Sequence, residues 1–145
     1  MRKIDPSPQV AIIIISYNTR PLLLECLGSA VESSDQTGIE LVVVDNASTD
    51  GSPEAVARAY PQAELITNRR NLGFAAACNQ AIKATRSPFI ILLNSDARLT
   101  RGGFQALYDC MKSIPRCAAA GCRLVNAEGR ENISTRYFLN PINQA

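Results

Sequence analysis

Two acidic side chains come shortly after strongly apolar runs, which is where chemistry is expected in an α/β protein. Asp45 follows the apolar run 41–44 directly, and Asp96 comes three residues after the run 89–93. Branched apolar runs with polar flanks are typical of fully buried parallel strands. Ligands of open α/β sheets bind outside the carboxyl ends of the strands. The two carboxylates therefore predict a site at that edge for a ribose, a base or a metal-bound diphosphate.

The absence of histidine narrows the chemistry further. None of the 145 residues is a histidine, so the usual Ser-His-Asp and Cys-His mechanisms and histidine metal sites are excluded. A metal ion would have to be held by oxygen, which suits Mg²⁺ or Mn²⁺. The five cysteines are odd in number and lack Cys-x-x-Cys spacing, which argues against a disulfide framework and a zinc site.

Composition indicates a globular domain. Hydrophobic residues make up 46% and charged residues 19%, and the net charge of +2 gives no reason to expect a nucleic-acid partner. The longest apolar stretch, 10–15, is far shorter than the roughly 20 residues of a transmembrane helix. The N-terminus lacks the apolar segment of a signal peptide. We therefore expect a cytoplasmic protein without a transmembrane segment, and peripheral association with the inner face of the membrane stays open.

Strand and helix patterns alternate along the chain. This order predicts an α/β fold with a doubly wound, mostly parallel sheet in a single domain, 1–145, with a core at 9–125 and a hairpin and tail at 126–145. A turn is expected at 126–129, with a returning strand at 131–138. The predicted strands are 10–15, 40–44, 64–67, 89–93 and 118–125, and the predicted helices follow the first four of them.

The first predicted strand ends in Ser16-Tyr17-Asn18 and lacks a glycine-rich phosphate loop. Neither the Gly-x-Gly-x-x-Gly pattern nor a P-loop pattern is present there, so a Rossmann-type oxidoreductase is disfavoured. If the protein binds a nucleotide, side chains and a metal ion must hold it.

Four segments in this order resemble the N-terminal, donor-binding part of glycosyltransferase family 2 enzymes in their rhamnosyltransferase-like branch. They are VAIIIISYN (10–18), VVVDNASTDG (42–51), NLGFAAACN (71–79) and LLNSD (92–96). The resemblance extends over 10–125 and implies the GT-A fold of nucleotide-diphospho-sugar transferases. The chain is short for this family, so the fold is expected to be truncated. A cut sheet edge would expose apolar surface, for which self-association into a homo-oligomer is one remedy.

The resemblance also implies roles for individual residues. Asp45 would hydrogen-bond the base or ribose, and Asp96 would bind a divalent cation, Mg²⁺ or Mn²⁺, shared with the sugar diphosphate. The family's Asp-x-Asp motif reads Asn94-Ser95-Asp96 here, so its first acid is replaced. The alternative for both aspartates is a turn or helix cap, and Asn71 is also a candidate N-cap. The implied nucleotide-sugar site comprises Ser16, Tyr17, Asn18, Asp45, Arg70, Asn71, Gly73, Asn94 and Asp96, with Asp96 as the metal ligand.

The implied reaction is transfer of a sugar from a nucleoside-diphosphate sugar to a hydroxyl of a saccharide or lipid-linked acceptor, with inversion, as in cell-surface polysaccharide biosynthesis. No carboxylate stands in the context of the family's general base, so no catalytic residue is assigned. The alternative is a catalytically silent nucleotide-binding or interaction module. The sequence does not determine the donor sugar, its base or the acceptor.

Overall fold

The structure is a computed structural model that describes residues 8–34, 38–126 and 128–132. The chain divides into two compact units, Met1–Tyr108 and Asp109–Ala145, each of which is described by itself. Among the described residues, no helix is both long enough and apolar enough to cross a membrane.

Strands and helices alternate through the first unit, and its four strands form one parallel sheet in the order β3-β2-β1-β4. The sheet and its flanking helices confirm the predicted parallel α/β fold. The strands are β1 Val10–Ser16, β2 Ile39–Asp45, β3 Glu64–Thr67 and β4 Phe89–Asn94, and the helices are α1 Arg20–Ser33, α2 Ser52–Ala59, α3 Phe74–Ala84 and α4 Gly103–Ser113, the last of which continues into the second unit.

The register of the sheet brings three strand ends to the same edge. Ser16 of β1 lies opposite Asp45 of β2, and Ile15 lies opposite Asn94 of β4. The residues that follow these strands therefore leave the sheet side by side. This alignment positions the polar segments predicted to carry the site.

Apolar side chains pack on both faces of the sheet. On one face, Ile12 and Ile14 of β1 pack with Leu23 and Leu27 of α1 and with other buried residues. On the other face, Ile13, Val42 and Val44 pack with Ala77 and Ala81 of α3. Small side chains on α3 let its backbone approach the sheet closely, and each packed face removes apolar surface from water.

Strand β4 departs from the prediction of a fully buried strand. Its exposure alternates along the strand, and Leu92 is 52% exposed while Leu93 is half-buried. Helix α3 packs on β1 and β2, so it does not cover this face of β4. An apolar run alone could not reveal this, because burial depends on which strands a helix covers.

The second unit contains a short antiparallel hairpin of β5 Leu124–Val125 and β6 Glu131–Asn132. The predicted turn is confirmed: the Asn126 amide donates to the Arg130 carbonyl oxygen at 2.9 Å, and Gly129 has a φ of 75°. The predicted strand 118–125 is wrong, because only its last two residues pair and they do so within the hairpin. Its alanine- and glycine-rich beginning has low strand propensity. The rest of the predicted return strand, 133–138, lies outside the described residues.

The Asp50 carboxylate caps two helices at once. Its Oδ2 accepts a hydrogen bond from the backbone amide of Arg20, the first residue of α1, at 2.8 Å. Its Oδ1 accepts from the backbone amide and the hydroxyl of Ser52, which begins α2, at 3.0 and 2.6 Å. The Ser52 hydroxyl, and with it the Arg20 and Ser52 amides, lowers the pKa of Asp50 below its usual value. One side chain thus satisfies amides at the starts of two helices.

We expect Asp50→Ala to lower the free energy of unfolding at pH 7 by about 2 kcal/mol, at about 1 kcal/mol for each lost cap. Because the folded-state pKa lies below the unfolded one, the stabilisation by the charged form is fully present above the unfolded pKa of about 4. It is lost as the pH falls through the folded-state pKa. Urea unfolding between pH 7 and pH 3 should therefore show the difference between parent and variant shrinking in acid.

Glu32→Ala provides the matched control, because Glu32 is an exposed acid at the far end of α1. It should leave the free energy of unfolding unchanged within about 0.5 kcal/mol. Equal stability of Asp50→Ala and the parent at pH 7 would contradict the double cap.

Candidate active site

An open cavity of about 460 Å³ lies at the carboxyl ends of β1 and β4. It is bounded by the end of β1 and the first turn of α1, by the loop that leads into α3, and by the segment that follows β4. The structure brings together five of the nine predicted site residues in its lining: Tyr17, Asn71, Gly73, Asn94 and Asp96.

Asp96 presents an exposed carboxylate to this cavity, and no hydrogen bond or ion pair joins it to another described residue. Its segment is nevertheless fixed against α1. The thiol of Cys26 donates to the Asn94 carbonyl oxygen at 3.4 Å, and the Leu99 amide donates to the Ser29 hydroxyl at 3.0 Å. A free carboxylate on an anchored segment is available to a ligand.

Cys26 acts here as a protonated donor. Burial of the thiol, and second the charge of Asp96, raise its pKa to about 12. It therefore stays uncharged at neutral pH and is not a nucleophile.

Asp45 is only 2% exposed and is not part of the cavity lining. Its Oδ2 accepts from the Ser48 amide at 2.8 Å, so the predicted alternative role as a turn cap is present. Its Oδ1 is buried and has no hydrogen-bond partner among the described residues. A buried acceptor without a donor is costly and calls for an explanation. One oxygen thus holds the loop after β2, and the other is left unsatisfied.

Three further predicted residues do not line the cavity. Ser16 is buried with its hydroxyl against that of Thr19 at 3.1 Å. Asn18 has a φ of 54°, and its side-chain oxygen accepts from the Thr49 amide at 2.8 Å. The contact of Asn18 with Thr49 joins the loops that follow β1 and β2. Arg70 is exposed and lies outside the lining.

The loop that begins α3 is held by side-chain amides. The Asn71 Oδ1 accepts from the Gly73 amide at 2.8 Å, so Asn71 forms a turn and the N-cap position itself is Gly73. Gly73 has a φ of 80°, which disfavours any other residue there. Asn68 exchanges two hydrogen bonds with Gln80 and donates a third to Asn46 at 2.9 Å. The loop is therefore preformed.

Sequence reasoning missed several lining residues. Ser95 and Thr19 are adjacent to predicted residues and carry hydroxyl groups. Their polarity and position could have indicated them from the sequence. Leu22 and Phe74 are exposed in the cavity, yet in the sequence they read as ordinary apolar residues near helix starts. The missed lining residues are Ile15, Thr19, Leu22, Asn46, Phe74 and Ser95.

The oxygen atoms in the cavity fit a hard divalent cation only in part. Among the described residues there is no group of three or more acidic, histidine or cysteine side chains that could hold a metal ion. Asp96 and the amide oxygen of Asn94 are the oxygen ligands that Mg²⁺ or Mn²⁺ prefers. Such a cation commonly takes its remaining ligands from substrate phosphates and water. The described lining therefore offers two oxygen ligands, and a cation held by them would need its other ligands from outside the chain.

Comparison with known proteins identifies the family. The model of the family described as Glycosyl transferase family 2 matches residues 11–144. The chain belongs to glycosyltransferase family 2. This finding confirms the resemblance carried by the four sequence segments.

Two relatives illustrate the family around this chain. It is 26% identical over 138 residues to the N-acetylglucosaminyl-diphospho-decaprenol L-rhamnosyltransferase of Mycobacterium tuberculosis, a match covering 88% of this chain and 45% of the relative. It is 36% identical over 122 residues to the succinoglycan biosynthesis protein ExoO of Rhizobium meliloti, covering 83% of this chain and 33% of the relative. The chain thus spans less than half the length of these relatives.

Solved structures confirm the GT-A type of fold. The mannosyltransferase PcManGT from Pyrobaculum calidifontis, solved with GDP-Man and Mn²⁺, superposes with a TM-score of 0.67 at 30% identity, covering 75% of this chain and 33% of the other. S. aureus TarS 1–349, solved with UDP, gives a TM-score of 0.65 at 22% identity and covers 72% and 32%. In both cases the match takes in about a third of the solved chain.

Proposed function

We propose that this chain is the donor-binding part of a glycosyltransferase. The enzyme would move a sugar from a nucleoside-diphosphate sugar to an acceptor hydroxyl. The observation that carries the proposal is the exposed carboxylate of Asp96, which pairs with none of the described residues, in a cavity at the strand ends of a family 2 fold. Family membership favours transfer over a silent binding module. The Mn²⁺ and GDP-Man of the mannosyltransferase structure support a metal-bound donor.

Five residues of the cavity lining have proposed parts. Asp96, with the Asn94 amide, holds the cation and faces the diphosphate, while Tyr17, Asn71 and Gly73 contact the nucleoside. When bound, a divalent cation stabilises the negative charge that develops on the departing diphosphate. The chain's own contribution is to orient the donor in a preformed cavity, which lowers the entropic part of the barrier.

The remaining predicted residues have different parts in this proposal. The free Oδ1 of Asp45 accepts a hydrogen bond from the base or ribose after a small opening of the loop. Asn18 holds the two loops together, Ser16 bonds to Thr19 within the first loop, and neither residue contacts the donor. Arg70, exposed near the loop to α3, reaches a phosphate or the base from outside the cavity.

The reaction we propose proceeds with inversion. The acceptor oxygen forms a bond to the anomeric carbon as the bond from that carbon to the diphosphate oxygen breaks, and the acceptor proton passes to a base. We assign no described residue to that base. The name of the M. tuberculosis relative supports a lipid-linked acceptor, and such an acceptor favours peripheral association with a membrane. Exposed Ile90 and Leu92 support self-association of this chain as a further prediction.

Isothermal titration of the purified chain with dTDP, UDP and GDP tests the binding step. We expect heat with at least one of them in the presence of Mn²⁺, and strong weakening of that binding when EDTA removes the metal. Absence of heat with all three would count against the proposal. Release of nucleoside diphosphate from the matching donor sugar, with water as acceptor, then separates an enzyme from a silent module, since a module would bind without turnover.

A further inference from the structure

The hydroxyl of Thr19 occupies the N-cap position of α1 and yet does not cap it. A threonine there normally accepts a hydrogen bond from an amide of the first turn. An N-cap side chain accepts from the second or third residue of the helix. The second is Pro21, which has no amide proton, and the Thr19 side chain makes no capping hydrogen bond to the third. The Thr19 hydroxyl is therefore free to make other contacts.

Those contacts form a chain of three hydroxyls that crosses from β1 to the segment after β4. The Thr19 Oγ1 donates to the Ser95 Oγ at 3.1 Å, and the Ser16 and Thr19 hydroxyl oxygens are 3.1 Å apart. A hydroxyl has one proton, and that of Thr19 is given to Ser95. The Ser16 hydroxyl must therefore be the donor to Thr19. The chain has one direction, from the buried Ser16 towards the cavity.

Ser95 ends this chain inside the cavity, between Asn94 and Asp96. Its oxygen accepts the proton of Thr19, so its own proton remains to be donated. Among the residues that the structure describes, none accepts a hydrogen bond from it. Hydroxyls that already accept a hydrogen bond become stronger donors, because successive bonds polarise one another. The free proton therefore suits an anionic acceptor.

We propose that the Ser95 hydroxyl donates a hydrogen bond to a phosphate oxygen of the bound donor, oriented and polarised by Thr19 and Ser16. This inference rests on the proposed function and adds a diphosphate-binding residue. Ser95 contacts the ligand, whereas Thr19 and Ser16 are positioning residues. The neighbouring carboxylate of Asp96 would repel a bare phosphate, so the contact requires the cation that Asp96 holds.

The test compares Ser95→Ala with Thr19→Val and Thr19→Ser in the full chain. Titrations use inorganic pyrophosphate with Mn²⁺, the nucleoside diphosphate that the parent binds best, and the matching nucleoside without phosphate. Ser95→Ala should lower the affinity for pyrophosphate and for the nucleoside diphosphate by about tenfold, which is the usual effect of losing a hydrogen bond to a charged group. Its affinity for the nucleoside should not change.

Thr19→Val keeps the shape of the side chain but breaks the hydroxyl chain, so a smaller loss is expected for the phosphate ligands only. Thr19→Ser keeps the hydroxyl and should behave like the parent. The control is Ser33→Ala, since the Ser33 hydroxyl bonds within α1 to the Ala30 carbonyl oxygen, outside the cavity. It should bind all three ligands as the parent does.

The inference would be overturned if Ser95→Ala bound pyrophosphate and the nucleoside diphosphate as tightly as the parent does. The proposed function would then remain intact. Equal losses for nucleoside and phosphate ligands would also overturn the inference, because they indicate a general disturbance of the cavity. A parent that binds no diphosphate would refute the proposed function itself. Should Thr19→Val fail to fold, Ser95→Ala and Thr19→Ser still decide the question.

Discussion

Asp96→Ala is expected to remove most of the Mn²⁺-dependent affinity for nucleoside diphosphates, by about 100-fold, since a metal contact is worth several kcal/mol. Asp96 is the one acidic residue in the described lining of the cavity. No second carboxylate there can replace it as a cation ligand. Because its side chain is exposed and has no hydrogen bond to another described residue, its removal should leave the thermal midpoint nearly unchanged.

Titration with and without Mn²⁺ separates metal-dependent binding of the nucleoside diphosphate from metal-independent binding. Asp96→Asn, which keeps the shape but not the charge, should resemble Asp96→Ala when Mn²⁺ is present. Without metal, all of them should bind weakly, and the variants no more weakly than the parent, because the Asp96 charge repels a bare diphosphate. Glu64→Gln, which removes an exposed acid from β3, serves as the control. Parental Mn²⁺-dependent affinity in Asp96→Ala would exclude this residue as the metal ligand.

Asp45→Asn should separate stability from binding. The amide oxygen can still accept from the Ser48 amide, and the amide nitrogen then replaces the buried Oδ1 that lacks a donor. One unsatisfied buried polar group replaces another, so the free energy of unfolding should change by less than about 1 kcal/mol. Affinity for nucleoside diphosphates should fall by about tenfold or more, because the charged acceptor for the base or ribose is gone.

Urea unfolding and calorimetric titration measure these effects on the same preparation. Pyrophosphate with Mn²⁺ should bind Asp45→Asn and the parent alike, since Asp45 is assigned to the nucleoside. Asp45→Ala is the comparison: it also removes the acceptor of the Ser48 amide and should destabilise the chain. If Asp45→Asn lowered the affinity for nucleoside diphosphates no more than the affinity for pyrophosphate, Asp45 would have a structural role only.

The parallel strands and their helices were predictable because branched apolar runs and the alternation of strand and helix patterns are local signals. β3 begins and ends at the predicted residues, and β1 and β2 are extended by one or two residues. The exposure of Leu92 was not predictable, since it depends on where α3 packs. Nor was the short β5, where alanine and glycine weaken the strand.

The candidate site also contains residues that local motifs predict and contacts that the sequence could not predict. Asp96 and Asn71 were predicted from segments that resemble family 2 motifs, and both line the cavity. Hydrogen bonds between distant segments carry no sequence signal, as the separations of 30 residues for Arg20 with Asp50 and 76 residues for Thr19 with Ser95 illustrate. The burial of Asp45 belongs to this second group, because it results from the packing of two loops.

The most direct test of the account is a crystal of this chain grown with Mn²⁺ and the nucleoside diphosphate that binds it best. The account predicts an anomalous Mn²⁺ peak in contact with the Asp96 carboxylate, with the diphosphate beside Ser95. A Mn²⁺ peak elsewhere, or a nucleotide bound away from the ends of β1 and β4, would contradict it.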